Sequence, residues 1–141
     1  MSFEIKTKNS FSVPVQTMYK TTSPVDYDRN TTEMELKCTF KGWPRPRVVW
    51  YDSKNKQITN GSEGFYISEQ LDLEDTLTSL LRNADIQENQ AGAYKCTGMN
   101  KIAGWWTKIS AYIGLRYHCE SFNFLFLILP MRKTTSFEAG S

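Results

Sequence analysis

The chain predicts an all-β fold: a two-sheet antiparallel β-sandwich followed by an irregular C-terminal tail. Three observations lead there. Short β-rich runs separated by turn residues fill positions 11–114. One of them, 33–40, alternates with a strict period of two, Met34, Leu36, Cys38 and Phe40 against Glu33, Glu35, Lys37 and Thr39. Finally, no long stretch is amphipathic at the helical period, and no repeat of roughly 20–50 residues is visible, which removes solenoids and propellers.

Each element follows in order. Residues 1–10 form an N-terminal extension with no apolar run, so it does not read as a secretory signal peptide. Residues 11–18 are the first candidate strand. Pro14 confines it to a sheet edge, because proline offers no N–H to a second neighbour. Residues 22–30 read as a polar connection. The run 33–40 is a half-buried strand with its even positions inward. Residues 47–51 form another, with Val48 and Trp50 on one face, and 53–56 turn. Residues 65–68 and 76–81 are two more strands, the inward face of the second left open. Residues 88–92 turn again. Residues 93–99 and 105–113 close the series, with Ile109, Ala111 and Ile113 on one side of the last. The organisation expected is therefore an extension over 1–10, a sandwich domain over 11–114 and a tail over 115–141.

Composition narrows the function. The chain has 141 residues, enough for one domain, and 17 basic against 15 acidic side chains leave a formal charge of +2. So small a net charge argues for neither nucleic acid nor acidic membrane as partner. In the tail, residues 122–131 are apolar apart from Asn123. As a helix ten residues span about 15 Å, half of a hydrocarbon core of about 30 Å. Pro130 shortens the run further, so no transmembrane span is expected.

The most informative spacing is that of Cys38, Trp50, Tyr94 and Cys96, the two cysteines each at the centre of a predicted strand. Around them, Cys38-Thr39-Phe40-Lys41-Gly42-Trp43-Pro44-Arg45-Pro46-Arg47-Val48-Val49-Trp50 resembles the Cys-x-x-x-Gly-x-Pro-x-Pro-x-x-x-Trp signature of intermediate-set (I-set) immunoglobulin-like domains. Gln90-Ala91-Gly92-Ala93-Tyr94-Lys95-Cys96 resembles Asp-x-Gly-x-Tyr-x-Cys. Cys96-Thr97-Gly98-Met99-Asn100, with Gly104 beyond, resembles Cys-x-Ala-x-Asn-x-x-Gly. The resemblance covers residues 11–114. It implies an immunoglobulin-like sandwich in which Cys38 and Cys96 form a disulfide between the sheets, Trp50 packs on it and the Tyr94 hydroxyl turns back to a nearby backbone group. Such a bridge contributes about 3–4 kcal/mol in the chain-entropy model. Two departures stand out. Gln90 replaces the usual aspartate, and three residues instead of two separate Asn100 from Gly104, where a bulge or longer loop is expected.

Candidate functional residues are few. Cys119 lies between His118 and Glu120, but one His and one Cys fall short of the four ligands of a zinc site, so neither a metal nor a cofactor is expected. His118 is the only histidine, which leaves no catalytic triad to assemble; the adjacent Glu74 and Asp75 diverge, and no glycine-rich phosphate loop is present. No enzyme is expected. Asn30-Thr31-Thr32 and Asn60-Gly61-Ser62 are N-glycosylation sequons in predicted loops. Lys41, Arg45, Arg47, Lys54 and Lys56 cluster along the sequence, a solvated face or a docking patch for an acidic partner or a sulfated glycan. Trp105 and Trp106 are adjacent on a strand and must point to opposite faces. Trp43, Arg45, Arg47, Trp105 and Trp106 are the candidate contact surface. The resemblance implies a module that binds another protein, homophilically or heterophilically, in cell-surface or extracellular recognition and adhesion. The alternative is an intracellular, cytoplasmic structural module of the kind found in muscle and cytoskeletal proteins.

Overall fold

The computed structural model describes residues 11–119. Eight strands run in order: β1 (Val13–Lys20), β2 (Val25–Tyr27), β3 (Met34–Trp43), β4 (Arg47–Tyr51), β5 (Phe65–Leu73), β6 (Thr76–Asn83), β7 (Gly92–Ile102) and β8 (Trp105–Tyr117). They form two four-stranded sheets, ordered β1-β3-β6-β5 and β2-β8-β7-β4. As Pro14 requires, β1 lies at a sheet edge.

The strict alternation of β3 is a burial pattern in fact. Met34, Leu36, Cys38 and Phe40 are buried between the sheets while Glu35 and Lys37 face water. Against them the second sheet presents Trp50, Tyr94, Cys96, Ala111, Ile113 and Leu115. The core is polar where it must be: the Trp50 indole Nε1 donates to Ser79 Oγ at 2.9 Å, so its N–H is not stranded in an apolar interior. Gly98 makes the two sheets fit. A Cβ there would sit 2.5 Å from the Phe40 ring, so only glycine lets that ring lie on β7.

Four expectations are corrected. The stretch 22–30 is not all connection, since β2 occupies Val25–Tyr27 and pairs with Leu115, Arg116 and Tyr117. That pairing is parallel, so the second sheet is mixed and not purely antiparallel. The chain leaves the first sheet after Lys20 and crosses to the second, where it runs alongside the last strand. For the same reason β8 continues past residue 114 to Tyr117, carried by buried Leu115 and by β2. Lastly, β7 and β8 meet in a tight two-residue turn without a bulge. Ile102 pairs with Trp105, and Ala103 (φ 51) and Gly104 (φ 85) both have positive φ, as a type I′ hairpin demands.

Candidate functional site

The corner residues hold the strands that carry the site. Cys38 and Cys96 are bonded across the core, with Cα atoms 6.7 Å apart. The Tyr94 hydroxyl donates to the Gln90 carbonyl at 2.6 Å, and burial pushes its pKa up. Gln90 compensates for the missing aspartate with its amide. Its Oε1 accepts from the Gln87 N–H at 2.8 Å and its Nε2 donates to the Glu63 carbonyl at 3.2 Å. The corner is thus closed by neutral hydrogen bonds.

At the opposite end of the sandwich, buried Asn100 ties three segments together. Its Nδ2 donates to the carbonyls of Val13 (2.8 Å) and Pro44 (3.0 Å), its Oδ1 accepts from the Val15 N–H (3.3 Å), and Thr107 Oγ1 donates to the same oxygen. This knot sets the β7–β8 hairpin against the β3–β4 loop.

The hairpin then extends the outer surface of the second sheet. Register and alternation place four rows of side chains there. Lys101 stands beside Trp106. Next come Arg47, Met99 and Lys108, then Val49, Thr97 and Ser110, and finally Tyr51, Lys95 and Tyr112. Trp106 is 47% exposed and Tyr112 58%. The Lys95 ammonium lies 4.5 Å from the Tyr51 ring centroid and that of Lys101 5.8 Å from the Trp106 ring, so both are held on the face by cation–π contact. The Thr97 and Ser110 hydroxyls are 2.8 Å apart at the centre. Strands β4, β7 and β8 contain no aspartate or glutamate at all.

The candidate contact residues divide. Arg47 and Trp106 belong to this face. Trp105, 77% exposed, points off the other side of the hairpin. Trp43 is half-buried at the end of β3, in the other sheet. Arg45 lines, with Arg47, Glu69, Leu71 and Leu77, a groove of about 490 Å³ between β4 and β5. The basic residues that cluster along the sequence are dispersed likewise: Lys41 lies in the first sheet, and Lys56 reaches Glu63 at 3.6 Å at the far end. The face also carries Lys95, Lys101 and Lys108, which the sequence motifs do not single out. Their signal was in the sequence, as Lys95 and Lys101 on one side of an acid-free strand and Lys108 on the acid-free strand after it, but nothing there said that β4 joins β7 and β8.

Asn30 and Asn60 sit in exposed loops before β3 and β5. Met34 and Phe65, which open those strands, both pair with Asn83, so both sequons lie at the end away from the hairpin. The Asn60 Oδ1 accepts from the Ile67 N–H at 2.9 Å. Cys119 is exposed. Among the described residues no group of His, Cys, Asp and Glu is arranged to hold a metal, and no helix is long and apolar enough to cross a membrane. The apolar run 122–131 lies outside the described residues.

Comparison with known proteins agrees with this architecture. Residues 14–100, more than half of the chain, match the family model described as immunoglobulin domain. Protein amalgam of Drosophila melanogaster is 34% identical over 68 residues, which is 48% of this chain and only 20% of that protein's length. Among solved structures, the complex of Dpr2 Ig1-Ig2 with DIP-Theta Ig1-Ig3 is similar with a TM-score of 0.65 at 19% identity, over 76% of this chain and 33% of that one. The N-terminal eight Ig domains of Down Syndrome Cell Adhesion Molecule give 0.61 at 19% identity, over 76% and 15%. The BTLA ectodomain gives 0.54 at 17% identity, over 74% and 98%. With the two-sheet sandwich, the bridged cysteines and the tyrosine corner in place, the chain belongs to the immunoglobulin domain family.

Proposed function

We propose that this domain is a non-catalytic protein-binding module of cell-surface recognition or adhesion, and that it docks through the outer face of β4, β7 and β8. The observation that carries the reading is that face itself. It presents Trp106, Tyr112, Met99 and Val49 between cations on a rigid sheet, the mixture of aromatic anchor and polar surround that suits a protein interface. Precedent supports it: Dpr2 is solved in complex with DIP-Theta, and DSCAM is by name a cell adhesion molecule. The bonded cysteines and the two sequons, both at the end remote from the hairpin, suit an extracellular setting. The His118 ring is engaged with the Asp26 carboxylate at 2.8 Å.

Two measurements test this. The mass of the natively produced protein, with and without reduction and glycosidase, should show one internal disulfide and sugar on Asn30 or Asn60. Free thiols and no sugar would favour the intracellular structural reading instead. A fluorescent tetramer of the domain should stain partner cells, and Trp106→Glu should cut staining at least tenfold, while Tyr66→Glu on the opposite sheet leaves it unchanged. Equal loss from both variants, or from neither, would remove this face as the docking surface.

A further inference from the structure

The docking face has a charge pattern that bears on whom it can meet. Its outward residues include Arg47, Lys95, Lys101 and Lys108, and the three strands that carry them hold no carboxylate. The other sheet is mixed, with Glu35, Glu69 and Asp72 among Lys37, Lys41 and Arg82. Among the described residues, Lys56 pairs with Glu63, Arg82 with Glu35, and Arg116 and His118 with Asp26, and none of the four face cations takes part in these pairs. Arg47 and Lys108 share one row across three strands, so their Cα atoms are about 10 Å apart, close to one Debye length at physiological salt. The net charge of +2 hides this, because the carboxylates lie elsewhere.

We infer that this face selects a different protein and rejects a second copy of the same chain. Its partner carries carboxylates around an apolar centre. The inference rests on the docking reading above. In a two-fold contact the same patch lies on both sides, so four cations would meet four cations, while the nearby carboxylates lie at its edges: Glu69 across the groove from Arg47, and Asp26 already paired with Arg116. Like charges brought together in this way suppress a partner, whereas opposite charges steer it. The apolar and aromatic residues between the cations favour a protein over a sulfated glycan. Val49, Met99, Trp106 and Tyr112 bury apolar area against a folded surface, whereas a glycan mainly uses the charges. Sugars at Asn30 and Asn60 would leave the face open, since both lie at the other end.

The test uses the whole chain. Sedimentation at low and at physiological ionic strength should show a monomer up to millimolar concentration. In an NMR titration, an acidic glutamate–tyrosine copolymer should shift amides of β4, β7 and β8, with no comparable shift at Lys37 and Lys41. A lysine–tyrosine copolymer should shift none. The triple variant Lys95→Gln/Lys101→Gln/Lys108→Gln should weaken the acidic probe at least tenfold. Arg47→Ala/Lys108→Ala should do so in part, should the triple variant fold poorly. A dimer that Trp106→Glu abolishes would overturn the inference while leaving the face as a docking surface. A heparin oligosaccharide binding the same residues more tightly than the copolymer would overturn the protein assignment. If neither a second copy nor the acidic probe touches the face, the inference and the docking reading both fall.

Discussion

Asn100 shows how much one polar side chain can organise. It is 2% exposed, yet all of its hydrogen-bonding atoms are engaged, and its partners come from β1, the β3–β4 loop and β8. Gly42 is packed so closely that an added Cβ would lie 2.9 Å from the Asn100 amide, so the side chain and the backbone around it are matched in shape. Removing a buried partner leaves the others desolvated and unsatisfied, at about 1–3 kcal/mol per group. Asn100→Ala is therefore expected to lower stability by about 2–4 kcal/mol, read as a fall in the urea midpoint. Asn100→Asp should cost nearly as much, because the donors to Val13 and Pro44 are lost. A change below about 0.5 kcal/mol would show that water replaces the amide.

Among the elements, the β7–β8 turn and the β2–β8 pair make opposite predictions. Ala103 adopts φ 51 in the turn, a left-handed conformation that costs a Cβ-bearing residue about 1 kcal/mol. Asparagine tolerates it and, before Gly104, completes the favoured Asn-Gly pair. Ala103→Asn should therefore raise stability by about 0.5–1 kcal/mol in thermal unfolding, without moving Trp105 or Trp106. Strand β2, three residues long, is held partly by charge. The side-chain hydrogen bond from Arg116 (2.7 Å), then that from His118 (2.8 Å), hold the Asp26 carboxyl at about 2, below its ordinary 3.8. A depressed carboxylate stabilises the fold fully above its unfolded pKa and loses that contribution as pH falls through the folded one. The amide signals of Val25, Asp26 and Tyr27 should accordingly change between about pH 4 and pH 2. Asp26→Asn should abolish that step. If the step persists in the variant, another carboxylate controls the pair.

For the whole molecule, the sandwich sorts charge as well as burial. One sheet mixes carboxylates and cations throughout; in the other, Asp26 stays on the edge strand β2, and β4, β7 and β8 bring Arg47 onto one face with Lys95, Lys101 and Lys108. The disulfide pins β3 to β7 across the core, with its cysteines 58 residues apart in sequence. That leaves the β4–β7–β8 sheet stiff enough to present a fixed pattern. A surface of this kind loses little conformational freedom on docking, which is where a preformed interface gains affinity.

Sandwich, core and corner were legible in the sequence because they rest on local rules: period two in β3, a proline at an edge, and Cys, Trp and Tyr at fixed offsets. The tight turn was not, since an alanine at positive φ breaks the local preference and is held there by the register of eleven paired residues on β7. Nor was β2, whose three residues among polar neighbours become a strand only because Leu115, Arg116 and Tyr117 lie beside them. The cationic face is the clearest case. Alternation in each strand decides which residues point outward. Only the order of strands in the sheet decides which outward residues are neighbours, because charges act through space across strands that the chain visits far apart.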